Sequence, residues 1–388
     1  MYAWGRSTME SSISTGEQRS RLPSLTGARI IAALMVFGFH ASLEGLFRSP
    51  VATTVFGTTF RYAGLVGVSF FFVLSGFILT WSKRPTDTPR SFWRRRFFKI
   101  FPNHVVTLIV AAILLTMAGA VITNQQVLLN LFLLQAWSPD LLVVTSLNSV
   151  AWSLSCEALF YLWFPFWIRY IERIRPERLW AWTAAVGVAI FMVPVVSMAL
   201  PDQPALPGQP GSTWQFWFIY ILPLTRMLDF VLGIMLARIV LTGRTLPVSP
   251  GIAVALAVGM YWLTPFFPWG FTLVAIMVVP LGLVIASVAV ADIEGRRTWL
   301  ASRPMVWLGE VSFAFYLWHW MVVVFGHKYL DGRNWDTPAA LGIVGLLFGV
   351  TLLLSWLLFT FWERPIMRRF ASERKRPAPV PASPASVG

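Results

Sequence analysis

Long apolar runs, separated by short polar stretches rich in arginine, proline and serine, recur along the whole chain. Ten of them approach the roughly 20 residues that an α-helix needs to cross a bilayer. They fall over residues 28–47, 62–82, 100–121, 148–170, 179–200, 215–240, 249–266, 270–291, 305–327 and 338–361. An eleventh run, Gln126 to Trp137, is short and is followed by Ser138, Pro139 and Asp140, so it reads as a partly inserted or interfacial helix. The pattern predicts an all-α fold, a polytopic integral membrane helical bundle of about 10 transmembrane helices.

The basic residues orient that bundle, because Lys and Arg gather on the cytoplasmic side of membrane proteins. With the N-terminus inside, the inner segments carry 25 of the 31 Lys and Arg residues. The outer loops carry Arg48, Arg61, Lys328 and Arg333, while Arg29 and Arg226 fall within or at the edge of spans. Both termini are therefore expected in the cytoplasm. A full span at Gln126 to Trp137 would reverse every later loop and destroy this asymmetry.

Composition agrees. The chain is 56% hydrophobic and 12% charged and carries 20 tryptophans, too apolar for a soluble domain that must keep a charged surface. Its net charge of +14 would point to nucleic acid in a soluble protein; concentrated on one side of a membrane, it marks orientation, and no nucleic-acid partner is expected. The lone Cys156 excludes an intramolecular disulfide and a thiolate metal cluster. Residues 1–27 read as a flexible cytoplasmic tail, 28–365 as the membrane domain, and 366–388 as a basic, then Pro/Ala-rich, cytoplasmic tail. The first apolar run lacks a small-residue cleavage site, so it reads as a retained span rather than a signal peptide. Multi-pass insertion in a bacterial cytoplasmic membrane is expected, with no appended soluble domain.

Against this background the buried ionisable residues stand out, since charges inside hydrocarbon are disfavoured by about 3 kcal/mol or more. His40 lies eleven residues beyond Arg29 on the first helix, roughly 16 Å deeper and near the bilayer middle. Glu157 lies about 14 Å below the outer end of the fourth span, and His319 roughly 21 Å above the inner end of the ninth. Arg226 and Asp229 fall midway along the sixth. Each could be a polar group satisfied by a neighbour; together they imply a water-accessible cavity. An imidazole oriented by a carboxylate is the arrangement that general base catalysis needs, and His40 beside Glu157 could deprotonate an alcohol.

A second cluster, SFWRRRFFKIFP over residues 91–102, places Arg94, Arg95, Arg96 and Lys99 around the inner start of the third span. Such a run serves as a snorkelling anchor. It also suits phosphate, because guanidinium forks bind phosphate oxygens in pairs. Cys156 would face away from the partner of Glu157, since one helical residue turns a side chain by about 100°, and it reads as a packing residue. His104 and His327 read as interfacial. No pair of His, Asp or Glu has metal-ligand spacing on one helix face, so no metal is expected.

Several of these stretches resemble the membrane-bound acyltransferase 3 family. They are Arg29 and His40 with ten residues between them, GVSFFFVLSGFIL (67–79), RRFFKIFP (95–102), SVAWSLSCEALFYLWFP (149–165), RMLDFVLG (226–233), VSFAFYLWHW (311–320) and WERP (362–365). The resemblance runs in order through nearly the whole chain. It implies an integral membrane O-acyltransferase that takes an acyl group from acyl-CoA, acetyl-CoA or another short chain, to a hydroxyl of a glycosylated acceptor. A macrolide-type natural product is the preferred acceptor and a surface polysaccharide or glycolipid the alternative.

By position, His40 matches the family's first-helix histidine, Arg29 its paired basic residue, Arg96 and Lys99 its Arg-x-x-Arg motif, Glu157 its acidic residue and His319 the histidine of its YL-x-H motif. Lys99 departs from the usual second arginine, and Ala158 and Leu159 from the polar residues that often follow the glutamate. The expected site is thus His40, Glu157 and His319 for chemistry, with Arg29, Arg94, Arg95, Arg96, Lys99 and Arg226 for the phosphates of the donor. A transporter or flippase would use the same buried charges as a solute path, but would show a repeat between halves, and none is visible.

Overall fold

A computed structural model describes residues 21–371 except 245–247, 297 and 331. Most of the tails expected at 1–27 and 366–388 therefore lies outside the described residues; residues 23–27 belong to the first helix and 367–371 form a π-helical turn. Ten long helices carry the architecture: α1 Pro23–Leu43, α2 Ala63–Trp81, α3 Pro89–Met117, α4 Trp152–Glu172, α5 Leu179–Ser197, α6 Pro223–Leu241, α7 Pro250–Leu263, α8 Ala275–Ile293, α9 Arg303–Tyr329 and α10 Thr337–Leu358. Among the described residues β-structure is limited to the isolated bridges Phe47–Trp335 and Ala205–Ser212. Eight helical stretches are long and apolar enough to cross a membrane. The other two expected segments also fold as helices. One is α4, which carries Glu157, Arg169 and Glu172; the other is the shorter stretch Pro250–Phe266. The protein is a polytopic all-α membrane bundle.

Local chemistry sets the helix starts. Proline occupies the first positions of α1, α3, α6, α7, α9 and α10, where its missing N–H breaks no helical hydrogen bond. Thr88 caps α3 in a reciprocal box with Ser91, so α3 begins eleven residues before the expected start at 100 and takes in the whole basic cluster. α1 has no cap from its own N-cap residue. Instead, Asp292 of α8 accepts from the Ser24 N–H at 2.9 Å and the Ser24 hydroxyl at 2.5 Å, putting a carboxylate at the positive end of the helix.

The stretch from Gln126 to Trp137 falls in an eight-residue helix, Asn124–Leu131, and the 3-10 turn Gln135–Trp137. That is too short to span, as expected of this segment. His104 of α3 reaches the Asn130 carbonyl at 2.9 Å, so the segment tucks against the bundle. His104 is buried.

Small residues allow the central helices to touch backbone to backbone. A Cβ on Gly76 of α2 would lie 1.9 Å from the Phe230 carbonyl oxygen of α6, and one on Gly309 of α9 would lie 1.8 Å from the Thr26 oxygen of α1. Farther along the same α1–α9 seam, Ile30, Ala33, Phe37 and Ala41 pack with Phe315 and Val323. This seam is what brings the first-helix and ninth-helix histidines together.

Candidate active site

His40 lies in the last turn of α1, because the helix runs from Pro23 to Leu43. It therefore sits closer to the far end of the span than to the bilayer middle expected from residue counting. Its Nδ1 is 3.0 Å from the Val36 carbonyl oxygen and 3.1 Å from Nε2 of His319. His319 is fully buried, and its Nδ1 lies 2.6 Å from the Tyr316 carbonyl oxygen.

These contacts fix the tautomers. A carbonyl oxygen only accepts, so His319 Nδ1 carries a proton and its Nε2 offers a lone pair. His40 Nδ1 in turn donates, shared between Val36 and His319, which leaves Nε2 of His40 as the basic atom.

Glu157 is not part of this pair. Its Oε2 accepts from the Tyr161 hydroxyl at 3.1 Å, and it lines a cavity of about 40 Å³ together with Arg29, Ser153, Ser312 and Tyr316. The group that contacts the His40 imidazole is therefore His319 and not the expected Glu157, which lies one layer nearer the basic end. Tyr316 joins the two layers. Its ring faces the cavity, its carbonyl holds His319, and its hydroxyl is 2.9 Å from Ser153 Oγ and 3.1 Å from the Val150 oxygen.

The basic residues sort into different duties. Arg29 lines the Glu157 cavity and among the described residues makes no hydrogen bond. Lys99 is bound to Glu363, whose other oxygen accepts from Asn103 at 2.5 Å. Arg95 pairs with Asp87 at 2.6 Å, and Arg94 is exposed. Arg96 stacks over Phe92 and Tyr161, at 5.8 and 5.9 Å, and lines a different cavity from Arg29.

Arg226 departs from its expected role as a phosphate ligand. It is 1% exposed, bonded to Asp229 and Ser69 at 2.8 Å each, and enclosed by the rings of Phe72 and Tyr220. Buried in this way, its guanidinium is closed to a phosphate entering from outside. Glu363, given no role of its own when the WERP stretch was read in the sequence, is the buried carboxylate that pairs with Lys99 and Asn103. Cys156 is fully buried, with Sγ 3.4 Å from the Ile221 oxygen, as a packing residue would be. Among the described residues no group of three or more His, Cys, Asp or Glu could hold a metal.

A membrane bundle with an imidazole pair at one level and a lined basic cavity below it defines a class, and the chain belongs to the acyltransferase-domain family, whose match covers residues 22–360. Among individual proteins it is similar to acyltransferase MdmB of Streptomyces mycarofaciens, 39% identical over 94% of this chain and 96% of that one. It is also similar to the peptidoglycan O-acetyltransferase OatA of Listeria monocytogenes, 24% identical over 91% of this chain but 57% of that protein. No solved structure matches it.

Proposed function

We propose that the protein is an O-acyltransferase that moves a short acyl group from acyl-CoA to a hydroxyl of a glycosylated, partly apolar acceptor such as a macrolide sugar. The observation that carries this reading is the His40–His319 hydrogen bond at 3.1 Å, which leaves the Nε2 lone pair of His40 available. In the reaction the acceptor hydroxyl gives its proton to that nitrogen as its oxygen attacks the thioester carbonyl. The carbon–sulfur bond then breaks, and the departing CoA sulfur takes the proton from His40. His319 steadies the imidazolium by accepting the Nδ1 proton, which lowers the cost of charge at that depth.

The donor comes from the basic side, with phosphates on Arg29 and Lys99 and the exposed Arg94 at the rim. Glu363 holds Lys99 in place until an anion competes for it. Residence in the cytoplasmic membrane of a bacterium, with the basic side inward, supplies acyl-CoA to that face. Acylation of a surface polysaccharide is the second reading, favoured by the likeness to the peptidoglycan enzyme, which extends over little more than half of that protein.

Mass spectrometry of a glycoside panel incubated with acetyl-, propionyl- and longer acyl-CoA tests the proposal. It predicts one acyl mass added per CoA released. Movement of a labelled solute across vesicles without any CoA release would instead make the protein a transporter.

A further inference from the structure

Between α3 and α4 lies a second cavity, of about 200 Å³. Trp93, Phe97, Phe101, Leu133 and Leu162 form most of its wall, and Phe97 and Leu162 are 51% and 53% exposed on the outer face of the bundle. The cavity therefore opens sideways toward lipid. Its one charged wall residue is Arg96, whose Nε is buried and, among the described residues, has no hydrogen-bond partner. A guanidinium set among apolar walls has few acceptors for its remaining N–H groups. Arg90 and Arg94 are exposed. They precede Trp93 and Phe97 by three residues, which sets them one turn nearer the basic end on the same flank of α3.

We infer that this cavity binds an anionic phospholipid, with an acyl chain among the aromatic side chains, the phosphate on Arg96, and Arg90 beside the headgroup. The volume falls below the roughly 300 Å³ of the smallest drug-sized sites, so a hydrocarbon chain fits where a macrocycle does not. Basic pockets between membrane helices recognise anionic headgroups in this manner, and a guanidinium supplies a charge-assisted donor. Tyr161 forms part of the wall, its backbone oxygen accepting from the Trp93 indole at 3.0 Å and its hydroxyl donating to Glu157. An occupied cavity thus buttresses the residue that holds Glu157, and the inference stands independently of any acyl transfer.

Native mass spectrometry of the delipidated full-length protein, titrated with phosphatidylglycerol or phosphatidylcholine of identical chains, tests it. One phosphatidylglycerol per chain should be retained at least about tenfold better than phosphatidylcholine. Arg96→Gln and, separately, Ala158→Phe, which fills the cavity, should each abolish that preference. Equal retention of the two lipids, or a preference unchanged in both variants, overturns the inference. Should either variant fail to fold, wild-type protein labelled with a diazirine-chain phosphatidylglycerol decides. Label concentrated on residues 93–101 and 158–162 supports the site, and label spread evenly over the lipid-facing helices refutes it.

Discussion

The chemistry proposed here depends on which atom of which side chain holds a proton. If His319 serves by accepting from His40 Nδ1, then His319→Ala should lower kcat by about ten- to a hundredfold, the worth of one hydrogen bond to a charged group. KM for the donor should stay unchanged, and the acid limb of the pH profile should shift. A parallel change in KM, with the pH profile untouched, would assign His319 to packing alone. Arg226 gives the opposite expectation. Removing it strands the Asp229 carboxylate in the core, so Arg226→Met should destabilise the protein by about 3–5 kcal/mol in a thermal melt. The double variant with Asp229→Leu should recover most of that loss. Both histidines were legible in the sequence as titratable groups at helix depth, but their pairing was not, because the rotation of α1 against α9 is set by contacts such as Gly309 on Thr26. For Arg226 the partner three residues on was visible, and i,i+3 spacing is itself a pairing signal.

At the scale of the element, α1 is the part whose placement matters most, and its two ends are held by other helices. Asp292 caps its start from α8, while at its far end Glu44 lies 3.2 Å from His327 Nδ1, whose Nε2 faces the Arg333 oxygen at 2.9 Å. Asp292→Ala should cost about 1 kcal/mol, the usual worth of an N-cap, read as a lowered melting temperature with little change in KM. Gly309→Val should do more. Its side chain would meet the Thr26 carbonyl, and overpacking of this kind typically costs about 1–3 kcal/mol, with activity falling as His40 moves off His319. The helices themselves were legible from apolar periodicity. The cap from Asp292 was not, since 268 residues separate it from Ser24.

For the whole molecule, the positive-inside distribution predicts a topology that labelling can check. Cys156 is buried, so the folded protein should resist a membrane-impermeant maleimide. A cysteine at Arg84 should label only from the cytoplasmic side, and one at Arg61 only from outside; reversal of that pattern would invert the bundle and detach the basic cavity from cytoplasmic acyl-CoA. The bundle class was legible because hydrophobic length is a local quantity. The split of the site into an imidazole layer and a carboxylate–guanidinium layer was not, because it depends on how ten helices tilt. The most direct test of the central claim is acyl transfer by the His40→Ala variant in reconstituted membranes, followed as free CoA and acylated glycoside. The variant should fold and its rate should fall by about a hundredfold or more; a rate equal to that of the wild type would remove His40 as the base.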